Sequence, residues 1–262
     1  MTGLRGMAAV MLLAALVMVA RAASAGDAAN LHLIGFSQDD RYFAFVQYGQ
    51  TDGLGAGYAD LFVIDNSDNS WAGGSPVRVL MDEATVHQME QDGSLDDAAT
   101  IALDQVLDDG ANVLARYGIS GDRPGITLAT RTLYDMAPAD QLHFTVRPLS
   151  PVRPSEPALQ IGLSQRAYDG AVEACVFDYD KPMLYALTLS TQDDQVVLSD
   201  SDTIPASRGC PLGYRLHSVI VSPYGTGQTA LVVLTAMTQP GFEGPDHRFL
   251  ADGAMLDSLW AF

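Results

Sequence analysis

Short apolar runs separated by polar turns dominate the chain from residue 34 onward. "IGFSQ" at 34–38, "IGLSQ" at 161–165 and "VIVSP" at 219–223 are variants of one opening. Each precedes a polar turn and a predicted strand: "YFAFVQY" (42–48), "AVEACVFDY" (171–179) and "TALVVLTAM" (229–237). A further strand follows in each unit, at "ADLFVID" (59–65), "MLYALTLS" (183–190) and "HRFLADGAML" (247–256). The first two units add "PVRVL" (76–80) and "QVVLSD" (195–200). Strands are also expected at "ITLATRTLY" (126–134) and "LHFTVRPL" (142–149). The expected fold is mainly β, built from antiparallel four-stranded propeller-like units, with a β-sandwich as the alternative. In "YFAFVQY", Phe43 and Phe45 lie on one face and Tyr42, Ala44 and Val46 on the other. Both faces are apolar, so this strand should be covered on both sides.

One segment breaks the strand pattern. "SLDDAATIALDQVLDDGANVLARYG" places Leu95, Ala98, Ala102, Val106, Val113 and Tyr117 at helical spacing, with Gly118 as a stop. Ser94 and Asp97 have the spacing of a capping box, and Gly110 sits where a kink is expected. This predicts one α-helix inserted between the β units. Asp97, Asp104 and Asp108 fall on one face of it, which reads as its solvated side. "SPVRPSEP" (150–157) reads as an extended connector and a candidate subdomain boundary.

The N-terminus changes the picture of compartment. Arg5 precedes an apolar run, Met7–Ala20, and Ala23-Ser24-Ala25 supplies small residues, which is the layout of a secretory signal peptide cleaved before Gly26. The run is shorter than the roughly 20 residues a spanning helix needs. Residues 26–262 are then expected to form a single exported β-rich domain, with no transmembrane segment after cleavage. Removing Arg5 and Arg21 from 14 Lys+Arg leaves 12, against 32 Asp+Glu. Such a surface repels phosphate backbones, which argues against a nucleic-acid partner. The two cysteines, Cys175 and Cys210, form an even pair in an exported chain and are expected to be disulfide-bonded.

Candidate chemistry is sparse. The glycine-rich "GQTDGLGAGYAD" (49–60) runs into a strand, whereas a phosphate cradle must open a helix. Asp65, Ser67 and Asn69 of "DNSDNS" have alternating ligand spacing, but Ser70 and Pro76 stand where an EF-hand loop needs Gly and Glu, so a solvated turn is expected over calcium. His32, His87, His143, His217 and His247 form no zinc-ligand pair, and no Gly-x-Ser-x-Gly elbow occurs. No catalytic residue, metal ligand or cofactor is implied. "PGFEGPDHRF" is the candidate binding loop: Gly and Pro shape its backbone, while Glu243, Asp246, His247 and Arg248 gather polar groups. The alternative for it is a shaped hairpin whose charges pair internally.

"GFSQDDRYFAFV…YADLFVID" resembles, distantly, the aspartate-turn repeat of TolB-type propellers, although Gln38-Asp39-Asp40 replaces the usual Pro-Asp-Gly. Across nearly the whole mature chain, "GFSQDDRYFAFVQYG", "SRGCPLGYRLHSV" (207–219) and "PGFEGPDHRFLA" (240–251) resemble a family of predicted secreted bacterial proteins of unknown function. That resemblance implies export, periplasmic or extracellular, and supplies no site residues. The expected function is a non-catalytic binding or assembly module of the cell envelope, with an envelope protein or small ligand as partner. The alternative is a periplasmic hydrolase with a Glu/Asp/His site near 243–247.

Overall fold

The computed structural model describes residues 26–133, 143–146, 159–177, 181–190, 195–224, 228–242 and 244–257. The signal-like segment, the 150–157 connector and Glu243 lie outside the described residues. Thirteen described strands form three open antiparallel sheets. Sheet 1 holds β1 (Asn30–Phe36), β2 (Tyr42–Gln50), β3 (Gly57–Asp65) and β4 (Ser70–Trp71) in that order, with β5 (Val77–Leu80) also on β3. Sheet 2 has the order β10-β9-β8-β7, from β7 (His143–Val146), β8 (Leu159–Ala167), β9 (Met183–Ser190) and β10 (Gln195–Asp200). Sheet 3 has the order β13-β12-β11-β6, from β6 (Ile126–Thr130), β11 (Gly213–Val221), β12 (Gln228–Gln239) and β13 (Asp246–Asp257).

Side-chain alternation sorts these sheets into layers. Phe43, Phe45, Tyr58, Phe62 and Ile64 of sheet 1 pack on Ile220, Val232, Leu234 and Phe249 of sheet 3. The opposite faces of β11 and β12 present Leu216, Val219, Leu231 and Val233 to Ile161, Leu163, Leu187 and Leu189 of sheet 2. The remaining face of sheet 1, through Ala44, Val46, Leu61 and Val63, meets a helical layer. The stack is therefore helices, sheet 1, sheet 3, sheet 2. It fits the sandwich-like alternative: no sheet closes, and the three lie face to face.

The helical layer corrects the expectation of one inserted helix. It contains α1 (Glu83–Asp92) and α2 (Ala98–Arg116), joined through a single 3-10 turn at Leu95–Asp97. Asp82 caps α1 by accepting the Thr85 N–H at 2.8 Å, and Gly93 ends it in a left-handed conformation. Only Val86 and Met89 of α1 are buried, so its apolar stripe is too thin to stand out in sequence. In α2 the buried stripe is Ala98, Ala102, Val106 and Gly110, and Gly118 follows its end at φ 66°. Ser94 makes no side-chain cap, because the 3-10 turn separates it from α2. Gly110 does not break the helix; it lets α2 approach Leu61, which an added Cβ would meet at 3.0 Å. Asp97, Asp104 and Asp108 are exposed, as their spacing predicted.

"AVEACVFDY" is the other correction. Its described part, residues 171–177, is a turn in which Val176 and Phe177 are exposed. Cys175 is drawn to Cys210 by the expected disulfide, with Cα atoms 5.0 Å apart.

The repeated openings turn out to hold the architecture. Ser37 Oγ donates to Asp39 at 2.6 Å and accepts the Tyr42 N–H at 2.9 Å, tying off the β1–β2 turn. Asp40, buried at φ 61°, accepts from Arg123 at 2.8 Å and from Ser222 Oγ at 2.6 Å. Ser222 belongs to the third opening, so the turns of sheets 1 and 3 are locked to each other.

Candidate functional site

Where β13 ends sheet 3, its free edge forms the floor of a cleft of about 710 Å³. Sheet 1 supplies one wall and the β9–β11 region the other. On the first wall, Trp71 is 40% exposed and stacks on Phe62 with ring centroids 5.0 Å apart. Phe62 stacks in turn on Phe45 at 5.0 Å, so the exposed indole rests on a rigid aromatic column. Beside it Asp60 accepts from Gln47 Nε2 at 2.9 Å and pairs with Arg78 at 3.5 Å. On the second wall the guanidinium of Arg208 lies 5.2 Å from the centre of the Tyr185 ring.

Two amides join the walls to the floor. Gln47 Oε1 accepts the N–H of Phe249 at 2.7 Å, and Asn69 Oδ1 accepts that of Gly253 at 2.8 Å. Asn69 Nδ2 donates to Leu198 O at 2.7 Å and to Asp252 at 3.1 Å. Glycine at 253 leaves room for the Asn66 side chain laid across the strand, which an added Cβ would displace. Asp252 is buried at the foot of the second wall and also accepts from Tyr185 Oη at 2.8 Å. Burial pushes the Asp252 carboxyl up against the hydrogen bonds it accepts, and burial with the neighbouring Asp252 charge pushes the Tyr185 phenol up.

The predicted loop residues lie at one end of this cleft, at the start of β13. Asp246 Oδ1 accepts the Asp27 N–H at 3.0 Å, and His247 N donates to Asp27 O at 2.8 Å. Arg248 Nη2 donates to Asp27 Oδ2 at 2.6 Å, Tyr58 Oη donates to Asp27 Oδ1 at 3.0 Å, and the Arg248 guanidinium covers the Tyr58 ring at 4.4 Å. Burial raises the Asp27 carboxyl, and Arg248 opposes that rise. Burial lowers the His247 imidazole, which keeps it neutral near pH 7. Asp246, His247 and Arg248 thus converge on Asp27 and hold the segment that leads into β1. Arg248 is the one of them that also lines the cleft.

Other candidates are occupied or scattered. Asp65 is held by Arg41 at 2.7 Å and by Ser67 at 2.6 Å, while Asn69 turns to β13, so "DNSDNS" does not converge on one point. The glycine loop leads into β3 as expected and borders a second hollow of about 480 Å³ beside Asp27 and Asp52. Among the described residues, no group of three His, Cys, Asp or Glu side chains could hold a metal ion. No described helix is long and apolar enough to cross a membrane.

Gln47, Trp71, Arg208 and Asp252 carry no site motif in the sequence, and Asn69 stood there only in a calcium-like spacing. One signal was available: Gln47 and Asp252 are polar residues inside otherwise apolar strands, and both are buried.

Fold and cleft define a mainly β protein of stacked antiparallel sheets, roofed on one side by two helices. The chain belongs to the family described as "Predicted secreted protein (DUF2259)", whose model matches residues 44–254. That description agrees with the exported location expected from the N-terminal segment. No curated protein and no solved structure matches the chain.

Proposed function

We propose that residues 26–262 act as one exported, non-catalytic binding module of the cell envelope, with its ligand seated in the cleft over β13. The observation that carries this reading is the combination on one concave surface of an exposed, column-backed Trp71 with the guanidinium of Arg208. Pockets that bind ligands pair an apolar platform with a few placed polar groups, as here. The hydrolase alternative loses support because Asp246 and Arg248 are committed to Asp27, and hydrolysis would need a free base beside a charge-stabilising site.

The test is affinity capture from envelope extract with the mature protein, run beside Trp71→Ala and Arg208→Ala baits of unchanged melting temperature. A component retained by the parent and lost by both variants is the expected result. Equal retention by all three baits overturns the cleft as the seat. Turnover of an envelope substrate that His247→Ala abolishes would make the protein a hydrolase instead.

A further inference from the structure

We propose that the cleft takes an extended peptide with a free C-terminal carboxylate, which adds to sheet 3 as a parallel strand along the edge of β13. This rests on the cleft being the binding seat and names its ligand.

The backbone register of β13 carries the argument. In an antiparallel pair, alternate residues turn their N–H and C=O toward the partner strand and the rest turn them away. His247, Phe249 and Gly253 direct their N–H groups away from β12, to Asp27 O, Gln47 Oε1 and Asn69 Oδ1. The register with β12 runs without a bulge from Asp246 to Asp257, so Ala251 shares this outward set. Its N–H and C=O face the cleft with no hydrogen-bond partner among the described residues, between the two amide props. Phe249 and Gly253 stand about 13 Å apart at the usual rise of a strand, which leaves room for a short extended segment.

The edge already accepts an added strand. Asp27–Ala29 pair with it in parallel at His247, through His247 N to Asp27 O and Ala29 N to His247 O. The chain then departs into β1; beyond it the edge is held by the Gln47 and Asn69 side chains, and among the described residues only the Ala251 stretch between them is left without a hydrogen-bond partner. A ligand in the same direction would donate to Phe249 O and Ala251 O and accept from the Ala251 N–H. Main-chain bonds to a sheet edge, with side chains entering flanking pockets, are a recurring mode of peptide recognition. Trp71 and Phe62 offer such a pocket on one side.

Direction decides where the carboxylate lands. A parallel peptide ends toward Asp252, whose Tyr185 partner lies under Arg208. Among the described residues Arg208 is in no ion pair; its charge already acts on the buried Asp252 carboxyl and on the Tyr185 and Tyr214 phenols, and a terminal carboxylate would be the first carboxylate to pair with it directly. On a chain with 32 acidic against 14 basic residues, the Arg208 guanidinium is the cationic group this end of the cleft offers an anionic terminus. The recessed floor suits one strand; the flanking sheets keep a second folded copy from reaching the edge.

The experiment uses two pools of N-terminally fluorescein-labelled hexapeptides, free-acid and C-terminally amidated, read by polarisation with the mature protein. The free-acid pool should bind at least tenfold more tightly than the amidated pool. Arg208→Gln should erase that difference. Ala251→Pro removes only an outward N–H, which an edge strand tolerates, and should weaken binding at least tenfold, whereas Ala251→Gly should not. Should Ala251→Pro fail to fold, amide exchange at Ala251 in the unaltered protein should still slow at least tenfold with saturating free-acid peptide. Equal binding of the two pools, or an exchange rate that the peptide leaves unchanged, overturns the inference. Chitotetraose that quenches Trp71 without slowing Ala251 exchange would also overturn it, while leaving the cleft as a binding seat. The binding-module reading fails separately, by equal capture on the Trp71→Ala bait.

Discussion

Sheets 1 and 2 are the outer pair of the sheet stack, and they are finished in different ways. Sheet 1 is sealed on both faces: Tyr42, Ala44 and Val46 of β2 go to the helices, and Phe43 and Phe45 go to sheet 3. Sheet 2 is covered less evenly among the described residues. In β9, Tyr185, Leu187 and Leu189 enter the core, while on the other face of the sheet Gln160, Ser164 and Val197 are exposed. A disulfide fastens the loop beside sheet 2, where sheet 1 has helices. Burial on two faces supplies sheet 1 with hydrophobic stabilisation, and sheet 2 gains part of its own from a covalent constraint on the unfolded chain.

The sharpest way to break the comparison is a charge in the helical seam. Val106 is 0% exposed between α2 and sheet 1. Val106→Asp should destabilise by more than about 4 kcal/mol, since the carboxylate has no partner there. Thermal melting would show a lost or strongly lowered transition, and a wild-type melt would mean that the helices are not structurally coupled to sheet 1.

Next comes the staple. Replacing Cys175 and Cys210 together with serine should cost about 3–4 kcal/mol from loop closure, read as a lowered urea midpoint. A negligible shift would place the stability of the sheet 2 side in its packing alone.

A smaller effect separates the sheets by pH. Burial alone would raise the Asp65 carboxyl in sheet 1, but hydrogen bonds from Arg41 and Ser67 hold it down at about 2, against 3.8 for an ordinary aspartate. A depressed folded pKa stabilises above the unfolded value and loses that contribution as pH falls through the folded one. The stability gap between the parent and Arg41→Gln should therefore be full above about pH 4 and shrink toward about pH 2. Urea midpoints across that range test it, and a gap independent of pH refutes the ion pair as its source.

The smallest effect belongs to the outer side of β10. Val197 is 57% exposed on β10, and Val197→Thr should change stability by no more than about 0.5 kcal/mol. A larger loss in a urea titration would show that this face is covered.

Much of the difference between the sheets is legible in residue order. "YFAFVQY" is apolar on both faces and became a strand covered on both; "QVVLSD" is mixed and lies at an edge. The family resemblance and the disulfide were legible too. The α1 helix was not, because two buried side chains make too narrow a stripe. "AVEACVFDY" misled in the opposite sense: its described part, residues 171–177, is a turn whose course follows Cys175 to Cys210.

Residue order determined most of the strands, which of their faces are apolar and where the chain is sent, because alternation, turn chemistry and a signal-like segment are local properties. Tertiary structure alone decided that Gln47, Asn69 and Arg208, from three distant segments, meet at one free edge. It likewise decided that "PDHR" holds Asp27 across more than two hundred residues of chain. Strand order and layer order follow from how open sheets bury their apolar faces against one another, and that choice is made between segments rather than within them.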